Sequence, residues 1–244
     1  MLARHARRFS LAGEVSSSVW EEEKKKGPIY TRGLWPNTLE VRHFKGRDNV
    51  MADALSQDPQ YAVDVTLDPD TAHPNLILSD DGKQVNDSDV KKKLPDNPKR
   101  FKDYTNVLGK QSLSSGRFYF EVQVKGKTRW NLGVARESIN RKGLMVLKPE
   151  DGYWAILMTS RNEYRACENQ LVCLSLKSQP QKVGVFVDYE EGLVSFYDVD
   201  AAALIYSFTG CSFTEKLYPY FGPCPNYGGK NSAPMIICPV NHTK

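Results

Sequence analysis

Between residues 61 and 240 the sequence is built from short apolar or alternating runs separated by clusters of Gly, Pro, Asn and Asp. Breaks of this kind at roughly ten-residue spacing leave little room for long helices, and they predict a sandwich or barrel of many short strands. The clearest runs lie at 117–125, 128–135, 153–158, 182–189 and 193–199. Side chains alternate across a strand, so Phe118, Phe120, Val122 and Val124 share one face. By the same rule Leu193, Ser195, Tyr197 and Val199 share one face, and Val194, Phe196 and Asp198 the other. Glu190-Glu191-Gly192 joins the last two runs as a hairpin loop, with Gly where the turn needs unusual dihedrals. Farther on, two aromatic-rich segments flank a Pro/Gly/Asn loop, and the run MIICPV reads as a buried strand ended by Pro239.

Residues 1–60 have another character. A basic start, a serine patch and the block Glu21-Glu22-Glu23-Lys24-Lys25-Lys26 precede Gly/Pro breaks. Residues 38–44 read as a strand and Asn49 as an N-cap, but no core-sized apolar pattern supports independent folding. This segment is expected to be a poorly structured leader. No signal peptide or membrane-length apolar run is seen, so a cytoplasmic, non-membrane protein is expected.

The net charge of +4 is too small to point to nucleic acid, and the basic run Lys91-Lys92-Lys93 reads as a solvated face. The five cysteines form no CxxC pair and match no zinc spacing. They read as reduced and mostly buried, Cys173 and Cys238 among them, because both sit in apolar stretches. Of the four histidines only His73 falls in the strand-rich part, and it reads as buried or capping. No second histidine joins it, so neither a metal site nor a Ser–His–Asp arrangement is expected. Gly228-Gly229-Lys230 lacks the spacing of a phosphate loop. No cofactor, no metal and no catalysis are expected.

A sandwich without catalytic machinery recognises partners through loops or through one face, with aromatic and arginine anchors. Trp130 and Trp154 fall within strand patterns and read as core, whereas Tyr153 is open to either reading. Tyr164, Arg165 and Tyr227 flank loops and are expected to be exposed. Arg129 and Phe221 complete the anchors read from residue type and position.

Residues 61–240 also resemble the PRY–SPRY (B30.2) domain of tripartite-motif proteins and butyrophilins, in particular the fish tripartite-motif-like group. The ordered blocks are Leu67-Asp68-Pro69 with TAHPNLILSDDGKQV, residues 107–135, RESINRKG at 136–143, DGYW at 151–154, residues 183–199, residues 206–221 and the terminal GGKNSAPMIICPV. The resemblance implies an all-β fold, a bent antiparallel two-sheet β-sandwich of the SPRY/concanavalin-like jelly-roll kind. The PRY part (about 61–106) and the SPRY part (about 107–240) would form one domain. It implies protein recognition through variable loops, often in antiviral defence, and an isolated domain that is monomeric. In the family's antibody-binding member a loop acidic residue, two tryptophans and a late aromatic build the site. The matching positions are Glu137, Leu157, Thr159 and Phe221, and both tryptophan positions have departed, so a partner other than antibody is expected. Phe120 stands where the family usually has tryptophan and is expected to remain core.

Tripartite-motif ligases carry an upstream RING finger, B-box and coiled coil, whereas residues 1–60 contain no cysteine. Residues 39–56, LEVRHFKGRDNVMADALS, resemble a retrotransposon polyprotein fragment, and a lone Asp53 cannot form a two-metal nuclease site. The leading expectation is a non-catalytic module that binds a protein through Arg129, Glu137, Leu157, Thr159, Tyr164, Arg165, Phe221 and Tyr227. Two alternatives stand beside it. One is the substrate-recognition portion of a ubiquitin ligase. The other is a sensor of small phosphorylated ligands, which requires Arg129, Arg136, Arg161 and Arg165 to converge.

Overall fold

The computed structural model describes residues 61–239, and these form two antiparallel sheets packed on a shared core. The readings at residues 1–60 (leader, strand, N-cap and polyprotein-like stretch) lie outside the described residues. The strands are β1 (Leu76–Leu78), β2 (Gln84–Asp87), β3 (Val107–Leu108), β4 (Arg117–Gln123), β5 (Trp130–Arg136), β6 (Tyr153–Met158), β7 (Tyr164–Ala166), β8 (Val172–Leu174), β9 (Lys182–Asp188), β10 (Leu193–Asp198), β11 (Ala203–Phe208), β12 (Leu217–Gly222) and β13 (Met235–Cys238). A 3-10 turn spans Pro149–Asp151.

One sheet has seven strands in the order β1-β2-β13-β4-β9-β10-β11, and the other has six in the order β3-β12-β5-β6-β7-β8. The segment before residue 110 supplies β1 and β2 to the first sheet and β3 to the second, so it is woven into both layers. The expected faces are the observed ones. Phe118, Phe120, Val122 and Val124 point into the inter-sheet core together with Trp130, Leu132, Val134, Val194 and Phe196. Phe120 closes the gap between the layers, with its ring centroid 6.0 Å from that of Phe221 on the opposite sheet.

Both outer faces carry smaller apolar clusters. Tyr119, Phe186, Leu193 and Tyr197, with Tyr61 against them, cover the outside of the seven-stranded sheet. Phe101, Leu108, Ala135, Ile139, Tyr153, Ala155, Cys167 and Tyr220 cover one end of the six-stranded sheet. This double burial explains why β9 and β10 are apolar on both faces. The β9–β10 hairpin turns at Gly192, whose φ is +59°, and a Cβ there would strike the carbonyl oxygen of Cys211. Glycine is thus required both by the backbone conformation and by the space available.

Expectations change at four residues. Tyr164, expected to be exposed, is 6% exposed, because strand alternation in β7 turns it inward against Trp130 at a centroid distance of 6.2 Å. Phe221 is fully buried for the same reason in β12. Cys173, expected to be buried, is exposed on the edge strand β8, and Cys238 is half-buried at the end of β13.

Candidate functional site

The outer face of the six-stranded sheet is only partly covered. At one end Met145, Leu147 and Tyr218 pack onto the outer cluster. Toward the other end a row of side chains crosses four strands. Asn131 on β5 pairs with Leu157 on β6, Leu157 with Arg165 on β7, and Arg165 with Cys173 on β8. Strands lie about 4.8 Å apart, so the row spans roughly 15 Å. Leu157 packs against the outer cluster while remaining half-exposed.

Two residues along each strand, alternation brings Arg129 and Thr159 to the same face. Thr159 opens the β6–β7 turn. Its carbonyl accepts the Asn162 N–H at 3.0 Å, its own N–H donates to the Glu163 carbonyl at 2.9 Å, and Asn162 takes φ +57°. Asparagine tolerates that left-handed conformation better than most side chains. The turn projects Arg161, and Arg165 Nη2 donates to Glu163 Oε2 at 2.8 Å.

The 223–233 segment completes the face. Tyr227 is 47% exposed, sits at φ +53° and precedes Gly228 and Gly229, both also at positive φ. A bulky residue in that region carries backbone strain, which persists only where the surroundings enforce it. Arg129 supplies part of that enforcement, since its Nη1 donates to Tyr227 Oη at 2.8 Å and its guanidinium carbon lies 5.7 Å from the ring centroid.

Asn231, fully buried, ties this segment to the start of β5. Its Nδ2 donates to the carbonyls of Arg129, Pro223 and Pro225, and its Oδ1 accepts from the N–H groups of Thr128 and Arg129. Lys127, 1% exposed, donates through Nζ to the Ala233 carbonyl at 3.0 Å and the Asn231 carbonyl at 3.4 Å. Burial pushes its ammonium down to about 8. On the far side of Tyr227, Asp89 Oδ2 accepts from Asn226 Nδ2 and from the Gly228 N–H.

Arg129, Leu157, Thr159, Arg165 and Tyr227 therefore share one face. Tyr164 and Phe221 lie beneath the strands in the core. Glu137 follows β5 at its opposite end, six residues from Asn131, or about 20 Å along the strand. There its N–H donates to the Lys216 carbonyl and its Oε1 accepts from Tyr218 Oη. Arg136 lies at that far end too, pairing with Glu215 at 3.9 Å, so it does not converge with Arg129, Arg161 and Arg165. Sequence reasoning missed Asn131, Cys173 and Asn231. The first two are visible only once strand pairing is known, whereas an Asn directly after Gly-Gly-Lys in a loop was a readable sign of side-chain-to-backbone bonding.

His73 is buried, with Nε2 3.0 Å from the Lys102 carbonyl and Nδ1 accepting the Asn75 N–H. Those partners place the ring proton on Nε2, and burial lowers the pKa. Its contacts here are with the backbone. Among the described residues no group of three or more His, Cys, Asp or Glu is arranged to hold a metal ion. No helix among them is long and apolar enough to cross a membrane.

The SPRY domain family model matches residues 117–236, and the SPRY-associated (PRY) domain model matches residues 65–113. Human pyrin is 50% identical over 180 residues, which cover 74% of this chain and 23% of pyrin. The human E3 ubiquitin-protein ligase TRIM68 is 47% identical over 182 residues, which cover 74% of this chain and 38% of the ligase. The chain therefore spans less than two fifths of the length of either relative. The crystal structure of the TRIM65 PSpry domain superposes with a TM-score of 0.64 over 82% of this chain and all of that one, at 20% identity, and so shares the fold.

Proposed function

The chain belongs to the PRY–SPRY (B30.2) family of the tripartite-motif proteins, whose domains are protein-interaction modules, and on that premise we propose that it binds a protein partner through the open end of its six-stranded sheet. One observation carries the proposal. An exposed tyrosine is held in a strained conformation and stacked on an arginine, at the end of the sheet that carries half-exposed Leu157. Aromatic and arginine side chains on a rigid frame are the residues that dominate binding energy in protein interfaces. The flanking segments are fixed by buried hydrogen bonds, so little ordering entropy is lost on contact. The setting is a cytoplasmic recognition event of host defence, as the tripartite-motif resemblance implies. The chain recognises substrate for a ubiquitin ligase wherever it is joined to ligase modules.

The test is positional crosslinking in cells. A photoreactive residue replacing Leu157 should capture a discrete partner, and the same residue at Leu204 on the edge strand β11 should not. Equal capture from both positions would remove the support for this face.

The phosphorylated-ligand reading loses Arg136 but keeps Arg129, Arg161 and Arg165. Of these, Arg129 is engaged by Tyr227 and Arg165 by Glu163, so a protein surface suits them better than a single phosphate group.

A further inference from the structure

Resting on the reading above, we infer that the partner presents an acidic segment with an apolar residue between its carboxylates. The charge around the face is one-sided. Arg161 and Lys230 are exposed, and the half-buried Arg129 and Arg165 join them on the sheet. Lys230 is drawn beside β5 by its carbonyl, which accepts the Thr128 hydroxyl at 3.1 Å. The carboxylates tied into the same surface are Glu163, already engaged by Arg165, and Asp89, whose Oδ2 serves two donors. Among the described residues no carboxylate lies within ion-pair distance of Arg129, and its hydrogen bond to Tyr227 leaves its positive charge uncompensated.

The centre of the face is apolar. Leu157 sits on β6, between the strand that follows Arg129 and the strand carrying Arg165. Those flanking strands are roughly 5 Å away on either side, and arginine side chains extend farther. In an extended peptide, alternate residues fall about 7 Å apart on one face, so carboxylates at i−2 and i+2 bracket an apolar residue at i. That spacing fits a leucine ringed by cations. A lone phosphate group needs several free donors that close on one point, whereas Arg129 is bound to Tyr227 and Arg165 to Glu163. A nucleic-acid backbone calls for a longer basic track than a chain of net charge +4 supplies.

The experiment pans a displayed library of random peptides against the full chain and measures affinities of the enriched sequences. Expected are peptides rich in Asp and Glu around a central apolar residue. Their affinity should fall as ionic strength rises, and by about tenfold on Arg129→Glu or Arg161→Glu, because close charge pairs across an interface are strongly coupled. Lys110→Glu, beyond the opposite edge strand, should leave affinity unchanged. The salt series uses the unaltered chain, so the inference stays testable even where a variant folds poorly. Enriched peptides with no acidic excess that still lose binding on Tyr227→Asn would overturn the acidic chemistry and leave the binding face standing. Peptides indifferent to every substitution on this face, or no enrichment at all, would count against both. Displacement of the peptides by inorganic pyrophosphate or a short DNA strand at equal affinity would overturn the inference in favour of phosphate recognition.

Discussion

Arg129 and Tyr227, 98 residues apart in sequence, hold each other at the open end of the six-stranded sheet through a 2.8 Å hydrogen bond from Nη1 to Oη. Tyr227 carries φ +53° there. Left-handed conformations cost an ordinary L-residue roughly 1–2 kcal/mol, and asparagine much less. Tyr227→Asn should therefore leave unfolding free energy within about 1 kcal/mol of wild type, since relieved strain offsets the lost contacts. Partner affinity should fall at least about tenfold, as expected for an aromatic anchor. Urea denaturation and a binding titration on the same samples check both halves.

Asn231 is a structural tie. Replacing it with alanine leaves the Arg129 N–H and several buried carbonyls without their partner. Each unsatisfied buried group costs about 1–3 kcal/mol, so Asn231→Ala should destabilise by about 3 kcal/mol or more. Chemical denaturation measures it, and a loss under about 1 kcal/mol would show the segment to be held by other contacts.

Lys127 makes stability depend on alkaline pH in a recognisable direction. Its folded pKa is lowered to about 8 from 10.5, so between those values the unfolded chain binds more protons. Its contribution is therefore unfavourable below pH 8 and is relieved as pH rises toward 10.5. Buried cysteines and tyrosines with raised pKa values, such as Cys167 and Tyr153, act in the opposite direction above about pH 9. They are common to wild type and Lys127→Met and cancel in the difference. Wild type should gain on the order of 3 kcal/mol relative to Lys127→Met between pH 8 and 10.5. A flat difference would contradict the depressed pKa.

Thiol accessibility separates the cysteines. All five lie within the described residues; Cys173 is exposed, whereas Cys167 is fully buried with its pKa pushed up to about 12. The thiolate is the reacting species, so a thiol reagent should label Cys173 rapidly and Cys167 only on unfolding. Cys173→Ser should remove the fastest phase.

The strand framework was legible because burial obeys a period of two. β6 coincides with the run read at 153–158, and β9 and β10 end within a residue of their predicted limits. Strands β1, β7 and β8, three residues each, are too short to show a period. The same limit misplaced Tyr164, since nothing local fixes which face of a three-residue strand meets the core. Phe221 was read from its motif, but the motif's burial belongs to β12, and Phe221→Ala should cost about 3–5 kcal/mol as a core truncation. Arg129 and Tyr227 were each readable as anchors. Their contact was not, because Asn231 creates it from a loop with no periodicity.

The central claim is tested most directly by hydrogen–deuterium exchange of the full chain alone and bound to the partner captured at Leu157. Slowed exchange is predicted in the 159–163 turn and across 223–230, with β1 and β11 unchanged. Protection confined to β1 or β11, the edges of the opposite sheet, would contradict it.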